Sequence, residues 1–306
     1  MNETVYHIPA LLPQTLEALD LRPDGIYVDA TYGGGGHSGA IVERLDSRGH
    51  LYSFDQDDQA VARAISDPRF TIVYSNFRFL HNWMRFYGVG AVDGIMADLG
   101  VSFHHFDDAG RGFSFRFDGP LDMRMNRHAR RTAADLLNTE SEERLAEVLY
   151  IYGELRQARR MAAAIVKARA EGREFSTVES LLTTVRPLIN PRQEKKELAQ
   201  LFQALRIEVN GELDALRQFL EASLRLLRPG GRLAILTYHS LEDRMVKNFM
   251  RTGNVEGRQQ PDFYGRNLAP IKPLGKVIVP DEAEIERNPP SRSAKLRVAV
   301  KLDFQQ

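Results

Sequence analysis

The sequence predicts an α/β fold: a doubly wound, Rossmann-like parallel sheet interrupted by an inserted helical domain. Three observations predict it. Short apolar runs alternate with helix-like spacing over the first hundred residues, about seventy residues without a strand signal follow, and strand-like runs then resume. A glycine-rich turn directly after the first run, "YVDATYGGGGHSGAI" (27–41), marks the ligand edge of such a sheet.

The elements follow in order. "GIYVDAT" (25–31), "GHLYSFDQD" (49–57), "FTIVYS" (70–75) and "VDGIMADLG" (92–100) are β-branched and aromatic runs bounded by Gly, Pro or Asp, each suited to a buried strand. Residues 36–45, 57–66 and 77–87 carry helical spacing between them. In the strand-poor middle, Thr139-x-x-Glu142 and Ser176-x-x-Glu179 have the spacing of capping boxes. Leu198, Leu201, Phe202, Leu205 and Val209 share one helical face, as do Leu213, Leu216, Leu220, Leu224 and Leu227. "LRPGGRLAILTYHS" (227–240) ends that helix and opens a fifth strand, and "SAKLRVAVKLDF" (293–304) reads as a last one. The expected division is a sheet domain from 1–105 and 205–306, with 106–204 as the helical insertion. Residues 253–292, rich in Gly, Pro, Asn and charge, read as a long surface excursion.

Composition narrows the class of protein. The chain of 306 residues is 43% apolar and 27% charged, which is ordinary for a globular protein. No run approaches the ~18 apolar residues of a membrane span, and "MNETVYHIPALLPQ" lacks the basic and apolar regions of a signal peptide. A cytosolic location is expected. The absence of cysteine excludes disulfides, thiolate zinc sites and cysteine nucleophiles. Net charge is zero, yet unevenly spread: 7 basic against 15 acidic residues in 1–110, 17 against 12 in 111–196, and 17 against 14 in 197–306. A polyanion can therefore be met locally by the middle of the chain.

Glycines after a first strand let a ligand approach the backbone. A phosphate-binding P-loop would close on Gly-Lys-Ser/Thr, whereas His37 and Ser38 follow Gly36 here. A dinucleotide remains open, because Gly34-x-Gly36-x-x-Gly39 satisfies the fingerprint and Asp55 stands where an acid holds ribose hydroxyls. The same features suit S-adenosylmethionine. Asp29 and Asp98, at the ends of the first and fourth strands, favour its positive charge over a pyrophosphate, although both carboxylates can equally cap the loops that follow.

"TYGGGGHS", "FDQD", "MADLGVS", "RGFSFRFDGPLDMRM", "FQALRIEVN", "YHSLEDR" and "RSAKLR" run in order from about residue 7 to 298. In this series the chain resembles the bacterial 16S rRNA cytosine-N(4) methyltransferase family, RsmH or MraW. The resemblance implies a class I S-adenosylmethionine-dependent methyltransferase fold with an inserted helical domain. It implies as substrate a decoding-centre cytosine of 16S rRNA, cytosine 1402 in the usual rRNA numbering, within the small ribosomal subunit. It assigns S-adenosylmethionine to Gly35, Gly36, His37, Asp55, Phe77, Asp98 and His105. Two residues depart from the family pattern in "DLGVSFHHFD": His105 replaces a glutamine and Phe103 a serine. Histidine still donates or accepts one hydrogen bond.

Cytosine's exocyclic amine is a poor nucleophile, so catalysis needs an acceptor for an amine proton and in-line placement of the reacting atoms. Asp98, with the Leu99 and Gly100 carbonyls, is the expected acceptor, by analogy with the Asp/Asn-Pro-Pro-aromatic motif of amino-group DNA methyltransferases. His239 and Asn210 are further catalytic candidates, the first at the end of strand five and the second from the family motif; a helix cap at Ser240-x-x-Asp243 and a C-cap at Asn210 are the structural alternatives. Phe113, Phe115 and Phe117 alternate with Ser114 and Arg116, and Arg124 and Arg127 follow. This is the aromatic and guanidinium mixture that stacks bases and grips phosphates. Arg111, Phe113, Phe115, Arg116 and Arg124 are the substrate-binding residues expected there. Arg156, Arg159, Arg160, Lys167, Arg169 and Arg173, with Glu171 as the only acid between 156 and 173, give a basic helix for RNA phosphate, centred on Arg159 and Arg160. His37 reads as a contact to the amino-acid end of the cofactor, and no metal site is expected because no second ligand lies at the right spacing. Two alternatives stand beside this reading: an NAD-dependent oxidoreductase, and an RNA-binding assembly factor that has lost catalysis. The sequence leaves a homodimer open.

Overall fold

The computed structural model describes residues 8–100, 108–259, 261 and 268–303. The chain forms two compact units, Met1–Gly100 with Asp214–Gln306, and Val101–Leu213.

In the first unit, seven strands make one sheet: β1 (Ile26–Asp29), β2 (His50–Asp55), β3 (Phe70–Tyr74), β4 (Val92–Asp98), β5 (Leu227–Thr237), β6 (Ile271–Pro273) and β7 (Lys295–Lys301). Their spatial order is β3-β2-β1-β4-β5-β7-β6. The first five are parallel to one another, while β7 runs antiparallel to both β5 and β6. The central strands read as unbroken apolar runs because both faces are covered. Ile95 and Ala97 of β4 and Leu233 and Ile235 of β5 enter one core, while Met96, Ala234 and Leu236 between them enter the other. The order reverses between β1 and β4, which places the ligand crevice at their carboxyl ends.

The expected strands all form, and helices occupy Gly36–Val42, Asp58–Val61 and Leu80–Phe86, the last preceded by a 3₁₀ turn at Phe77–Phe79. The stretch 253–292 is more than a surface excursion. It supplies β6, whose Ile271 is buried and whose Pro273 is tolerated because β6 is an edge strand. It also supplies the helix Glu282–Arg287. That helix clasps the beginning of the described chain: Glu284 accepts from the Leu11 N–H at 3.2 Å, and Asn288 donates to the Ile8 carbonyl at 2.9 Å.

The second unit contains the helices Ala133–Thr139, Glu142–Ile151, Ala158–Ala170, Val178–Val185 and Glu194–Asn210 around a core that includes Leu136, Leu149, Met161, Leu181 and Leu205. A domain boundary at 204–205 would cut the last of these helices, and the units change at 213–214 instead. The caps also shift from their expected positions. Ser141, not Thr139, caps Glu142–Ile151, and Thr139 bonds back to the Asp135 carbonyl. Thr177, not Ser176, caps Val178–Val185, with Ser180 returning the bond as a box. Thr132 and Asp135 form a further box that the spacing search missed.

Candidate active site

Three carboxylates stand at the carboxyl ends of adjacent strands: Asp29 on β1, Asp55 on β2 and Asp98 on β4. Each has a different task. Asp29 is fully buried and holds the glycine loop from below, accepting from the Thr31 N–H at 3.0 Å and the Ser38 hydroxyl at 2.6 Å. Thr31 in turn accepts from the Asp98 N–H at 2.6 Å, so the ends of β1 and β4 are joined through one hydroxyl.

Burial pushes the Asp29 carboxyl up to about 6 from an ordinary 3.8, against the opposing pull of the Ser38 hydrogen bond. The folded state thus binds this proton more tightly than the unfolded chain. The stabilisation it brings is full below pH ~4 and is lost as pH rises through about 6. Asp29→Asn, neutral at every pH, is expected to raise the unfolding free energy of the ligand-free protein at about pH 8, read from urea unfolding, by up to roughly 3 kcal/mol. That gain should shrink as the pH falls towards about 4. Equal midpoints across the range would show that the buried carboxylate carries no such penalty.

The loop above Asp29 is shaped by contact. Gly35 has φ of 77°, and a Cβ there would lie 2.7 Å from the Tyr32 hydroxyl; a Cβ on Gly36 would lie 2.8 Å from the Pro9 ring. Asp55 accepts from the Gly33 N–H at 2.8 Å with one oxygen and from the Asp57 N–H at 2.9 Å with the other, which fixes its plane beside the loop. Phe77 stands just beyond β3, half-buried, with its ring edge-on to Phe219 at 5.3 Å.

His37 is buried, and burial lowers its pKa. The Ala10 carbonyl, 3.2 Å from Nε2, can only accept, so the ring proton sits on Nε2. Nδ1 is left as a lone pair 3.8 Å from Oδ2 of Asp98. Two acceptors aimed at one another suit a ligand that brings N–H donors or positive charge between them. On its other side Asp98 accepts from the Tyr238 hydroxyl at 2.7 Å. Tyr238 follows β5 directly, and sequence reasoning passed over it for its neighbour His239. The available signal was its position: it is the first residue past a strand end, as the crevice carboxylates are last residues.

Other expectations change. His239 is the N-cap of the helix Ser240–Thr252, its Nδ1 accepting from the Glu242 N–H at 3.5 Å and its Nε2 lying 2.9 Å from the Glu242 carboxylate. Asp243 does not complete a cap; Arg297 and Lys295 of β7 hold it. Asn210 is engaged by the backbone. Its oxygen accepts from the Met125 N–H at 2.7 Å and its amide donates to the Met123 and Arg206 carbonyls at 2.8 and 2.9 Å. Arg111 is buried at 2% exposure and donates to the Arg124 and Met125 carbonyls, and Phe113 is a core residue at 3%. Phe115 packs edge-on against Phe202 at 5.6 Å. Arg124 grips Asp122 with two 2.7 Å bonds and the Ala129 carbonyl with a third. All four side chains are engaged within the second unit, Arg111 and Phe113 buried and Phe115 and Arg124 half-buried. Arg116, Arg159 and Arg160 are exposed, as expected of phosphate contacts. His105 and Phe103 lie outside the described residues.

A parallel sheet with an antiparallel β7 inserted between β5 and β6 departs from the all-parallel dinucleotide-binding order and is the class I methyltransferase fold. Comparison with known proteins agrees. The model of the MraW methylase family matches residues 4–302. The "Ribosomal RNA small subunit methyltransferase H" of Bacteroides fragilis is 58% identical over 301 residues, covering 98% of this chain and 99% of the relative. That of Phocaeicola vulgatus is 58% identical over 298 residues, covering 97% and 98%. That of Porphyromonas gingivalis is 56% identical over 306 residues, covering 98% of each. The chain belongs to the MraW methylase family and is a methyltransferase. Among the described residues no helix is long and apolar enough to cross a membrane.

Proposed function

We propose that this chain methylates the exocyclic N4 amine of cytosine 1402 in 16S rRNA, within the small ribosomal subunit, with S-adenosylmethionine as donor. The observation that carries the reading is the convergence of His37 Nδ1 and Asp98 Oδ2 at the β1/β4 switch point, beside a loop fixed by Asp29 and Asp55. When bound, the cofactor supplies an electrophilic methyl group on a sulfonium sulfur. The residues present fit it. His37 and Asp98 would accept from its ammonium group and Asp55 would take the ribose hydroxyls, while Gly35 and Gly36 leave the loop bare of side chains and Phe77 would offer a ring beyond β3.

Asp98 also serves the base. Its carboxylate accepts a hydrogen bond from the amine, holding the nitrogen lone pair towards the methyl group and receiving the proton that leaves nitrogen as the N–C bond forms. Most of the acceleration comes from that placement. The names of the relatives, which are small-subunit rRNA methyltransferases, support the substrate class.

The deciding experiment incubates the full chain with methyl-labelled S-adenosylmethionine and small subunits lacking the modification, then digests the RNA to nucleosides. Label in N4-methylcytidine mapping to position 1402 is expected; label at another base, or none, would sink the proposal. In the second unit, Arg159 and Arg160 lie exposed on the helix Ala158–Ala170, which has no acid in its first turn. Reversing both charges to Glu should weaken subunit binding and make its log K–log salt slope shallower by about 1.5. Cofactor affinity, read by calorimetry, should not move.

A further inference from the structure

We infer that Tyr238 is a positioning residue for methyl transfer: its hydroxyl occupies Oδ1 of Asp98 and so presents Oδ2 towards His37 and the acceptor amine. The inference rests on the proposed role of Asp98 at the reacting centre and adds to it the group that aims the carboxylate.

The geometry is over-determined. The Tyr238 N–H donates to Oε2 of Glu242 at 3.2 Å, and its ring lies against Gly100, where a Cβ would approach to 3.3 Å. Asp98 is pinned at both ends, through its backbone N–H to Thr31 and through Oδ1 to the Tyr238 hydroxyl at 2.7 Å. With those two points fixed, rotation of the carboxylate is blocked and Oδ2 has one direction left to face. Burial first, then the negative charge of Asp98, hold the Tyr238 hydroxyl far above the ordinary tyrosine value. The phenol is therefore a permanent donor that never competes for the amine proton. A hydrogen bond given to a carboxylate favours its ionised form, so losing the phenol should make Asp98 easier to protonate.

The groups that face this pair are His37 beside Oδ2, Asp29 beneath the loop, and Glu242 and Glu284, whose charges are felt at Tyr238. Burial lowers the pKa of His37 and so moves its titration towards the acid range, and the comparison of the wild-type and Asp98→Asn backgrounds, rather than the acid limb alone, separates it from that of Asp98.

The test is a double-mutant cycle on the full chain with Tyr238→Phe and Asp98→Asn, measuring methylation of unmodified small subunits across pH, cofactor affinity by calorimetry, and thermal midpoints. Tyr238→Phe should lower kcat about 10- to 100-fold with KM for the subunit nearly unchanged. It should also move the acid limb of the rate profile to higher pH, by on the order of one unit. In the Asp98→Asn background the same change should cost little further, because the proton-accepting oxygen that the phenol aims is already gone. Equal costs in both backgrounds, or wild-type turnover with an unshifted acid limb beside a crippled Asp98→Asn, would overturn the inference. Wild-type turnover in Asp98→Asn alone would instead remove Asp98 from the reaction, and this role of Tyr238 with it.

Discussion

Asp98→Ala is expected to abolish nearly all methyl transfer, with a loss of about 10³-fold or more in kcat and about tenfold weaker cofactor binding. Two losses combine. The alanine removes the acceptor for the amine proton, and it removes one of the two acceptors proposed for the cofactor while leaving the Tyr238 hydroxyl without the carboxylate it donates to. Radiolabelled transfer to unmodified small subunits reads the first effect and calorimetry the second. Wild-type turnover in the variant would end the assignment. Asp98→Asn separates the two: it keeps an oxygen for Tyr238 and should bind cofactor better than the alanine variant, while still failing to take a proton.

Asn210→Ala should instead act on stability. The side chain bonds the Met125 N–H and the Met123 and Arg206 carbonyls, and Met123, itself fully buried, is held at φ of 58°, a conformation a methionine rarely adopts. Cutting all three bonds strands a backbone donor and acceptor and should cost about 2–4 kcal/mol. A falling urea midpoint with residual activity that tracks the folded fraction is the expected pattern. Full stability with lost turnover would return Asn210 to the chemistry, as its place in the "FQALRIEVN" motif first suggested.

That contrast shows which parts of the site can be read from sequence. Carboxylates at strand ends can, because an α/β sheet puts its ligand at one edge whatever the side chains elsewhere, and Asp55 and Asp98 stand there. Motif membership alone cannot tell a contact from a clamp. Arg111 and Phe113 sit in a motif with Arg116, yet the first two are enclosed and only the third reaches solvent, since "RGFSFRF" is an irregular segment whose facing follows no period. Tyr238 was passed over for a related reason: histidine is the expected proton carrier, and the residue beside it looked like strand.

The fold shows the same division. Strands covered on both faces announce themselves through continuous apolar runs, whereas β6, three residues with a proline in a polar stretch, gives no such signal. Caps were misplaced where two hydroxyl residues lie close together, Thr139 with Ser141 and Ser176 with Thr177. Which one starts the helix depends on the entry angle of the chain, and spacing does not record that.

The clasp of Glu284 and Asn288 on residues 8–11, and of His37 on the Ala10 carbonyl, has a consequence for biosynthesis. A nascent chain carries Ile8 and Leu11 early and the residues that clasp them, Asn288 and Glu284, 280 and 273 positions away respectively. Before residues 227–237 are made β4 lacks its β5 neighbour, and before Glu284 and Asn288 are made the first segment lacks its clasp. A polypeptide that stops short of Glu284 therefore lacks the two bonds that fix residues 8–11, the segment whose Ala10 carbonyl receives His37.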